Sequence, residues 1–517
     1  MTPPATITDD LITRLSRHVA ASGAETIASV EVFTGETLAT LPCSSVRDVA
    51  DAVHAARVPQ ARWAELDVRE RMGVFERFHK LVLDERETIA DLIQAETGKA
   101  RRYAFEDLIE PAITTSHYLK AAPRLLRARA RKGMMPLAIK ATELRQPKGV
   151  VGIISPWNFP FALGMSDSIP ALMAGNAVVL KPDSQTALSP LYGVDLLYRA
   201  GLPEGLITVV LGDGPTVGGA LVDNADYVGF TGSTRTGAEV GARAAARLIG
   251  CSLELGGKNP MIVLPDANVA AAVDGAVTSA FANTGQLCMH IERIYVHESV
   301  HDAFLAKFVD ATRALKLGAR YDYQCDVGSL ISTRQRKAVA EHVDDARAKG
   351  ATVHVGGGSR EDLGPAFYEP TVLTGVTPDM ACFAEETFGP VVSIYPFRDE
   401  EDAIALANDT SYGLNASVYG RDLDRARRVA HRLRAGTVNV NDGHAAAYSS
   451  MDAPMGGMGS SGLGRRHGVE GLLKYTEAQN VAVQRVRVIP PPKAIPYGRY
   501  TGIMARSLRL MRRIGLR

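Results

Sequence analysis

Apolar and polar residues alternate along the chain in two rhythms. From residue 45 to 130 apolar side chains recur at helical spacing, and Arg62 to Glu96 combines that spacing with many Glu, Arg, Leu and Ala residues. A string of amphipathic helices is predicted there. Residues 137–146 read as an extended, partly exposed strand. From Val150 the pattern changes to short apolar runs at 150–154, 177–180, 208–211 and 227–230, separated by helical stretches and Gly/Pro turns. Continuous apolar strands alternating with helices predict a parallel α/β sheet covered on both faces. A second block offers strands at 261–264, 293–296, 391–395 and 436–440, and a last extended run covers 481–488. Neither lone strand, 137–146 nor 481–488, can bury an edge by itself. The two are expected to pair and to extend a sheet across a subunit boundary.

Composition narrows the classes. A chain of 517 residues exceeds what one core usually organises, so two or three domains are expected. With 46% hydrophobic and 22% charged residues it reads as an ordinary globular protein. A net charge of +1 gives no overall bias towards nucleic acid. Asp9 and Asp10 precede any apolar run, so no secretory signal is expected, and no stretch is apolar enough to span a bilayer. Cys43, Cys251, Cys288, Cys325 and Cys382 are scattered, without C-x-x-C pairs or zinc spacing. Reduced thiols, a cytoplasmic location and no metal are expected.

Arg499 to Arg517 carries six arginines among Ile503, Met504, Leu508, Leu510, Met511, Ile514 and Leu516. Two readings fit: a basic amphipathic helix on an anionic membrane, or a surface helix packed on its own or a neighbouring subunit. The packed helix is the expectation.

Several segments suit chemistry. Asn283-Thr-Gly-Gln-Leu-Cys288 follows the helix expected at Val273 to Phe281. A cysteine must become a thiolate to attack, and Gly285 lets backbone and substrate approach closely. The bland alternative for Cys288 is a small buried hydrophobe. Leu253-Glu-Leu-Gly-Gly-Lys258 sets a glutamate between leucines before a Gly-Gly turn. Glu254 is either an ion-paired structural carboxylate or a general base raised by apolar surroundings. In Pro156-Trp-Asn-Phe-Pro160 the Asn158 amide can serve an oxyanion or merely brace a turn. Lys181-Pro-Asp-Ser184 and Phe230-Thr-Gly-Ser-Thr-Arg-Thr-Gly237 each follow a strand, where α/β folds bind ligands and helix N-termini suit phosphate. Their bland readings are a solvated turn and an ordinary capped helix.

Together these motifs resemble the aldehyde dehydrogenase family, in order and spacing, from about residue 30 to 490. Glu385-Glu-Thr-Phe-Gly-Pro390, Gly436-Thr-Val-Asn-Val-Asn441 and Pro454-Met-Gly-Gly-Met-Gly-Ser-Ser-Gly-Leu-Gly-Arg465 add to the match. The resemblance implies a Rossmann-like cofactor domain (1–136 and 148–256) and an α/β catalytic domain (257–458). It also implies a small β oligomerisation arm (137–147 and 479–490), which a basic tail (491–517) follows. It implies Cys288 as nucleophile and Glu254 as base for the deacylating water. The oxyanion hole would combine the Asn158 side chain with the Cys288 backbone N–H. Trp157, Asn158, Lys181, Ser184, Gly232, Ser233, Leu255, Glu386 and Phe388 match cofactor positions.

Many NAD-preferring relatives carry a glutamate where Ser184 stands, so NADP is expected, with NAD tolerated. Cys288-Met-His-Ile-Glu-Arg293 and Ala453-Pro-Met-Gly-Gly-Met458 resemble the second bacterial type of succinate-semialdehyde dehydrogenase. The arginine pair that clamps the distal carboxylate in better-known enzymes of that specificity is matched here by Ser166 and Ala282. Ser449 and Ser450 match their late-loop serines, and His290, Arg293 or His444 are candidate carboxylate partners. A medium-chain or aromatic aldehyde is the alternative substrate, and a catalytically silent protein on this fold the remote one. A homodimer or homotetramer is implied.

Overall fold

The computed structural model describes residues 4–133, 138–486, 491 and 493–515. The expected helical stretch is four helices, Val46–Glu65, Val68–Asp84, Arg86–Thr97 and Arg101–Leu125. Capping boxes at Ser45 with Asp48 and at Asp67 with Glu70 start the first two, and left-handed Gly98 ends the third. The helical pattern stops at Leu125, earlier than the sequence suggested, because Arg129–Lys132 forms a strand.

Two parallel sheets form the larger compact unit, residues 1–125 and 147–475. The six-stranded sheet runs Gly462–Leu463, Gly250–Glu254, Tyr227–Thr231, Val150–Ile154, Ala177–Lys181 and Ile207–Val209. All but the first strand are parallel. The seven-stranded sheet runs Thr352–Val355, Thr371–Thr374, Val391–Phe397, Ile291–His297, Asn259–Val263, Asn415–Tyr419 and Thr437–Val440. Only its first strand is antiparallel. The helices Val269–Phe281 and Glu298–Arg313 bury Phe281, Phe304 and Phe308 on one face. The helices Glu400–Asn408 and Leu423–Ala430 cover the other. Both faces are thus sealed, as the apolar runs require.

Asn415–Tyr419 was not legible as an apolar run, because Asn415 and Ser417 interrupt it. Both are buried and hydrogen-bonded instead: Asn415 Nδ2 donates to Met289 O (2.9 Å) and Ser417 Oγ to Asp442 O (2.5 Å). Arg293 is also structural. Its guanidinium caps the end of Glu400–Asn408, bonding Leu406 O (3.2 Å) and Ala407 O (3.0 Å).

The smaller compact unit comprises residues 126–146 and 476–517. Its sheet has the order Thr476–Gln484, Ile139–Pro147, Arg129–Lys132, so the two lone strands do pair. The expected runs also covered residues 137, 487 and 488, which lie outside the described residues, as do 489 and 490 of the expected arm and 492, 516 and 517 of the expected tail. Beyond the first residue of Thr476–Gln484 the strand is exposed throughout. The tail forms the helix Tyr497–Arg513, none of whose residues is buried. Among the described residues no helix is long and apolar enough to cross a membrane.

Candidate active site

The two large sheets present opposite ends to one crevice. Asn158, Gly232 and Glu254 follow or end strands of the six-stranded sheet, at its carboxyl edge. Cys288 and Phe388 precede the strands Ile291–His297 and Val391–Phe397, at the amino edge of the other sheet. A cavity of about 390 Å³ lies between them. It is lined by Trp157, Asn158, Glu254, Leu255 and Cys288, by Gly232 and Ser233, and by Glu386 and Phe388. The Trp157 and Phe388 rings meet edge-on, 5.4 Å apart.

Backbone strain and a close approach shape the cysteine loop. Asn283 and Thr284 have φ of 47° and 58°, a region β-branched side chains avoid. Gln286 fixes them: its Nε2 donates to Asn283 O (3.2 Å) and its Oε1 accepts from Ile331 N (2.9 Å). Gly285 has φ +71°, and a Cβ there would stand 2.0 Å from Gly389 O. The close approach that the sequence suggested for substrate is therefore made by the backbone of residues 389–390. Asn259 Nδ2 donates to Cys288 O (2.7 Å), fixing the cysteine's own peptide.

Asn158 is buried. One N–H of its amide donates to Gln286 O (3.0 Å), which leaves the other for a ligand. Its backbone carbonyl accepts from Lys99 Nζ (2.7 Å) and Asn283 Nδ2 (3.1 Å). Lys99 is fully buried and pairs with Asp107 (2.8 Å), whose second oxygen accepts from Ala162 N (2.7 Å). Sequence reasoning missed this brace. Its signal was a lysine directly after a helix-ending glycine.

Glu254 Oε1 is buried without a hydrogen-bond partner. Burial raises its carboxyl to about 7, with Arg466 and Lys474 offsetting part of the effect. Behind it, Arg466 makes a two-pronged contact with buried Asp167 and donates to Thr231 Oγ1 (2.7 Å). Lys474 Nζ (3.2 Å) and Tyr475 OH (3.1 Å) converge on the same Asp167 oxygen. Burial would raise Asp167, but Arg466 and Lys474 outweigh it and hold the carboxyl well below its usual range. This cluster too was missed, although the family-like segment ended one residue short of Arg466.

The Cys288 thiol is pushed up to about 12 by burial and by the carboxylates of Glu386 and Glu254. Glu386 itself is raised to about 7 by burial and by Glu292, and its Oε1 accepts from Gly257 N (2.9 Å). Buried Glu292 pairs with Lys258 and accepts from Thr387 N (2.9 Å) and Phe388 N (3.2 Å), pinning the loop that carries Glu386 and Phe388.

Lys181 and Ser184 lie outside this cavity. Ser184 Oγ donates to Gly212 O (3.1 Å) and accepts from Gly212 N (3.2 Å), while buried Lys181 Nζ donates to Pro182 O (3.2 Å). The expected substrate residues do not line this cavity. His290 is fully buried, with Nε2 3.1 Å from Glu292 Oε1, so it does not face the cavity. Ser449 and Ser450 are exposed and spend their hydroxyls on Ala445 O (2.7 Å) and Ala446 O (2.8 Å). His444 lines a different cavity, with Asp442 and Tyr419. Ser166 bonds buried Glu110, and Ala282 packs among Ala100 and Tyr103. Among the described residues no group of three His, Cys, Asp or Glu is arranged to hold a metal ion.

A cysteine and a carboxylate with one buried, unpaired oxygen line a single cavity between two α/β sheets, a pairing that suits covalent thiol chemistry. Residues 18–481 match the model of the aldehyde dehydrogenase family, and the chain belongs to that family. It is 53% identical over 480 residues to a Mycobacterium tuberculosis protein provisionally named succinate-semialdehyde dehydrogenase (NADP+) 2, covering 93% of this chain and 92% of that one. Among solved structures it is similar to succinate-semialdehyde dehydrogenase from Burkholderia pseudomallei (TM-score 0.86, 37% identity), covering 90% of this chain and 96% of that chain. It is also similar to an NAD+ complex of betaine aldehyde dehydrogenase from Staphylococcus aureus (TM-score 0.87, 31% identity), with coverages of 93% and 99%.

Replacing Gly285 by alanine should lower kcat by at least about tenfold, because the added methyl displaces the 389–390 backbone and with it the Cys288 loop. Steady-state kinetics, with circular dichroism to check the fold, would measure this.

Proposed function

We propose that the protein oxidises succinate semialdehyde to succinate with NADP, NAD being tolerated, through a thioester on Cys288. The observation that carries the chemistry is the convergence of Cys288, Glu254 and Asn158 on one cavity. In this reading Cys288 passes its thiol proton to Glu254, the unpaired carboxylate raised close to neutrality. The thiolate attacks the aldehyde carbon, and the resulting alkoxide is held by the free Asn158 N–H and the Cys288 backbone N–H. NADP, when bound, supplies the acceptor for the hydride that leaves this carbon. Once the proton from the thiol has left Glu254, the carboxylate takes one from water. The hydroxide so formed cleaves the thioester, releasing the acid and restoring the thiol.

The six-stranded sheet and its loops are the proposed cofactor domain, with Gly232 and Ser233 at the phosphates and Trp157, Leu255, Glu386 and Phe388 towards the nicotinamide half. Lys181 and Ser184 would take the adenosine half. A serine at 184 repels no 2′-phosphate, and Lys181 adds a nearby cation. The seven-stranded sheet is the proposed catalytic domain. The exposed edge of Thr476–Gln484 supports assembly into a homodimer or homotetramer.

Succinate semialdehyde rests on the similarity to the mycobacterial and Burkholderia proteins. A second reading, a medium-chain or aromatic aldehyde, is favoured by one observation: Ser166 contacts a buried carboxylate, Glu110, rather than a cation.

Exchange of Cys288 for alanine should abolish turnover. Where hydrolysis limits the rate, kcat should rise with pH through about 7 and level off above it, because Glu254 must be ionised to act as a base. Glu254→Gln should remove that rise and slow kcat by roughly a hundredfold or more. Ser184→Glu should cut kcat/KM for NADP by at least about tenfold while sparing NAD. A higher kcat/KM for NAD in the unaltered enzyme would refute the cofactor assignment. For the substrate, kcat/KM with succinate semialdehyde should exceed that with hexanal; a preference of about a hundredfold for hexanal would establish the second reading instead.

A further inference from the structure

The match to the aldehyde dehydrogenase family ends at residue 481, and the helix Tyr497–Arg513 lies beyond it. From Ala478 to Arg517 the chain contains nine Lys and Arg residues and no Asp or Glu. Prolines at 490, 491, 492 and 496 separate the exposed strand Thr476–Gln484 from the helix.

Within the helix the two kinds of side chain separate completely. At about 100° per residue, Arg499, Arg506, Arg509, Arg512 and Arg513 fall in one arc of about 140°. Tyr500, Ile503, Met504, Leu508, Leu510 and Met511 fall in the opposite arc of about 160°. Arg499 and Arg512 border that apolar stripe on its two sides, where long side chains can keep their charges at an interface while their stems follow apolar surface. No residue of the stripe is buried: Ile503 is 56% and Leu510 58% exposed, and Tyr500, Met504, Leu508 and Met511 are partly covered.

We propose that Tyr497–Arg513 docks the enzyme on an anionic lipid surface, lying in the plane of the headgroups with its apolar stripe inserted. Its 17 residues make about 25 Å of helix, enough to lie along an interface and too charged to cross it. Charge decides between occupants. Two copies of this helix packed stripe to stripe would gather ten arginines with no acidic partner on either helix. An anionic bilayer offers the compensating charge to every arginine at once.

The test uses the full-length enzyme and sucrose-loaded vesicles. Sedimentation with phosphatidylglycerol-rich vesicles should exceed that with pure phosphatidylcholine by at least about tenfold and should fall as salt is raised. The variant Arg506→Gln/Arg509→Gln/Arg512→Gln should lose at least about tenfold in binding. Ile503→Asp/Leu510→Asp should lose it too. Both variants should keep the kcat/KM of the unaltered enzyme for a water-soluble aldehyde, which shows that they fold. Equal binding to neutral vesicles, or undiminished binding by the arginine variant, would overturn the proposal. So would a lower oligomeric mass of Ile503→Asp/Leu510→Asp in light scattering with vesicle binding intact, which would make the stripe a contact between copies.

Discussion

A carboxylate oxygen buried without a hydrogen-bond partner is costly for a protein to hold, and Glu254 Oε1 is such an atom. Much of the surrounding structure answers to it. The strand Gly250–Glu254 sets its backbone, and Gly462–Leu463 pairs with that strand in antiparallel register. Arg466 and Lys474 stand behind it with a single buried counter-charge, Asp167. Two cations against one anion leave a positive excess facing Glu254. That excess keeps the carboxyl near neutrality instead of letting burial drive it higher.

The cavity belongs to two frameworks at once. One sheet contributes carboxyl edges and the other amino edges, so neither framework forms the site alone. Buried ion pairs hold each side: Lys99 with Asp107 under the Asn158 loop, and Lys258 with Glu292 under the Phe388 loop. Such pairs contribute little net stability compared with a well-packed apolar core, and removing one partner is severe. Their value is positional. The contact of Gly285 with the 389–390 backbone then joins the two loops directly.

Much of this was legible in the sequence. Strands buried on both faces announce themselves as apolar runs, so Val150–Ile154, Ala177–Lys181 and Tyr227–Thr231 were found, and with them the loops that end them. Cys288, Glu254 and Asn158 were each a candidate with a bland alternative, and the likeness of the ordered motifs to one family was what gave them roles. Asn415–Tyr419 was missed because its polar residues are satisfied by partners distant in the chain. The Asp167–Arg466 pair is separated by 299 residues, and no local spacing signals it. The substrate end was legible only by likeness, and His290, Ser449 and Ser450 do not line the cavity that holds Cys288.

The pairing of Gly462–Leu463 with Leu253–Glu254 also sets an order of events during synthesis. Roughly 200 residues are added between the two strands, about ten to forty seconds at ordinary elongation rates. Throughout that interval the edge of the six-stranded sheet is bare, and Arg466 does not yet exist. Cys288 is also made before Arg466. A stalled or truncated nascent chain can therefore carry the proposed nucleophile and the proposed base while lacking the cation that tunes them.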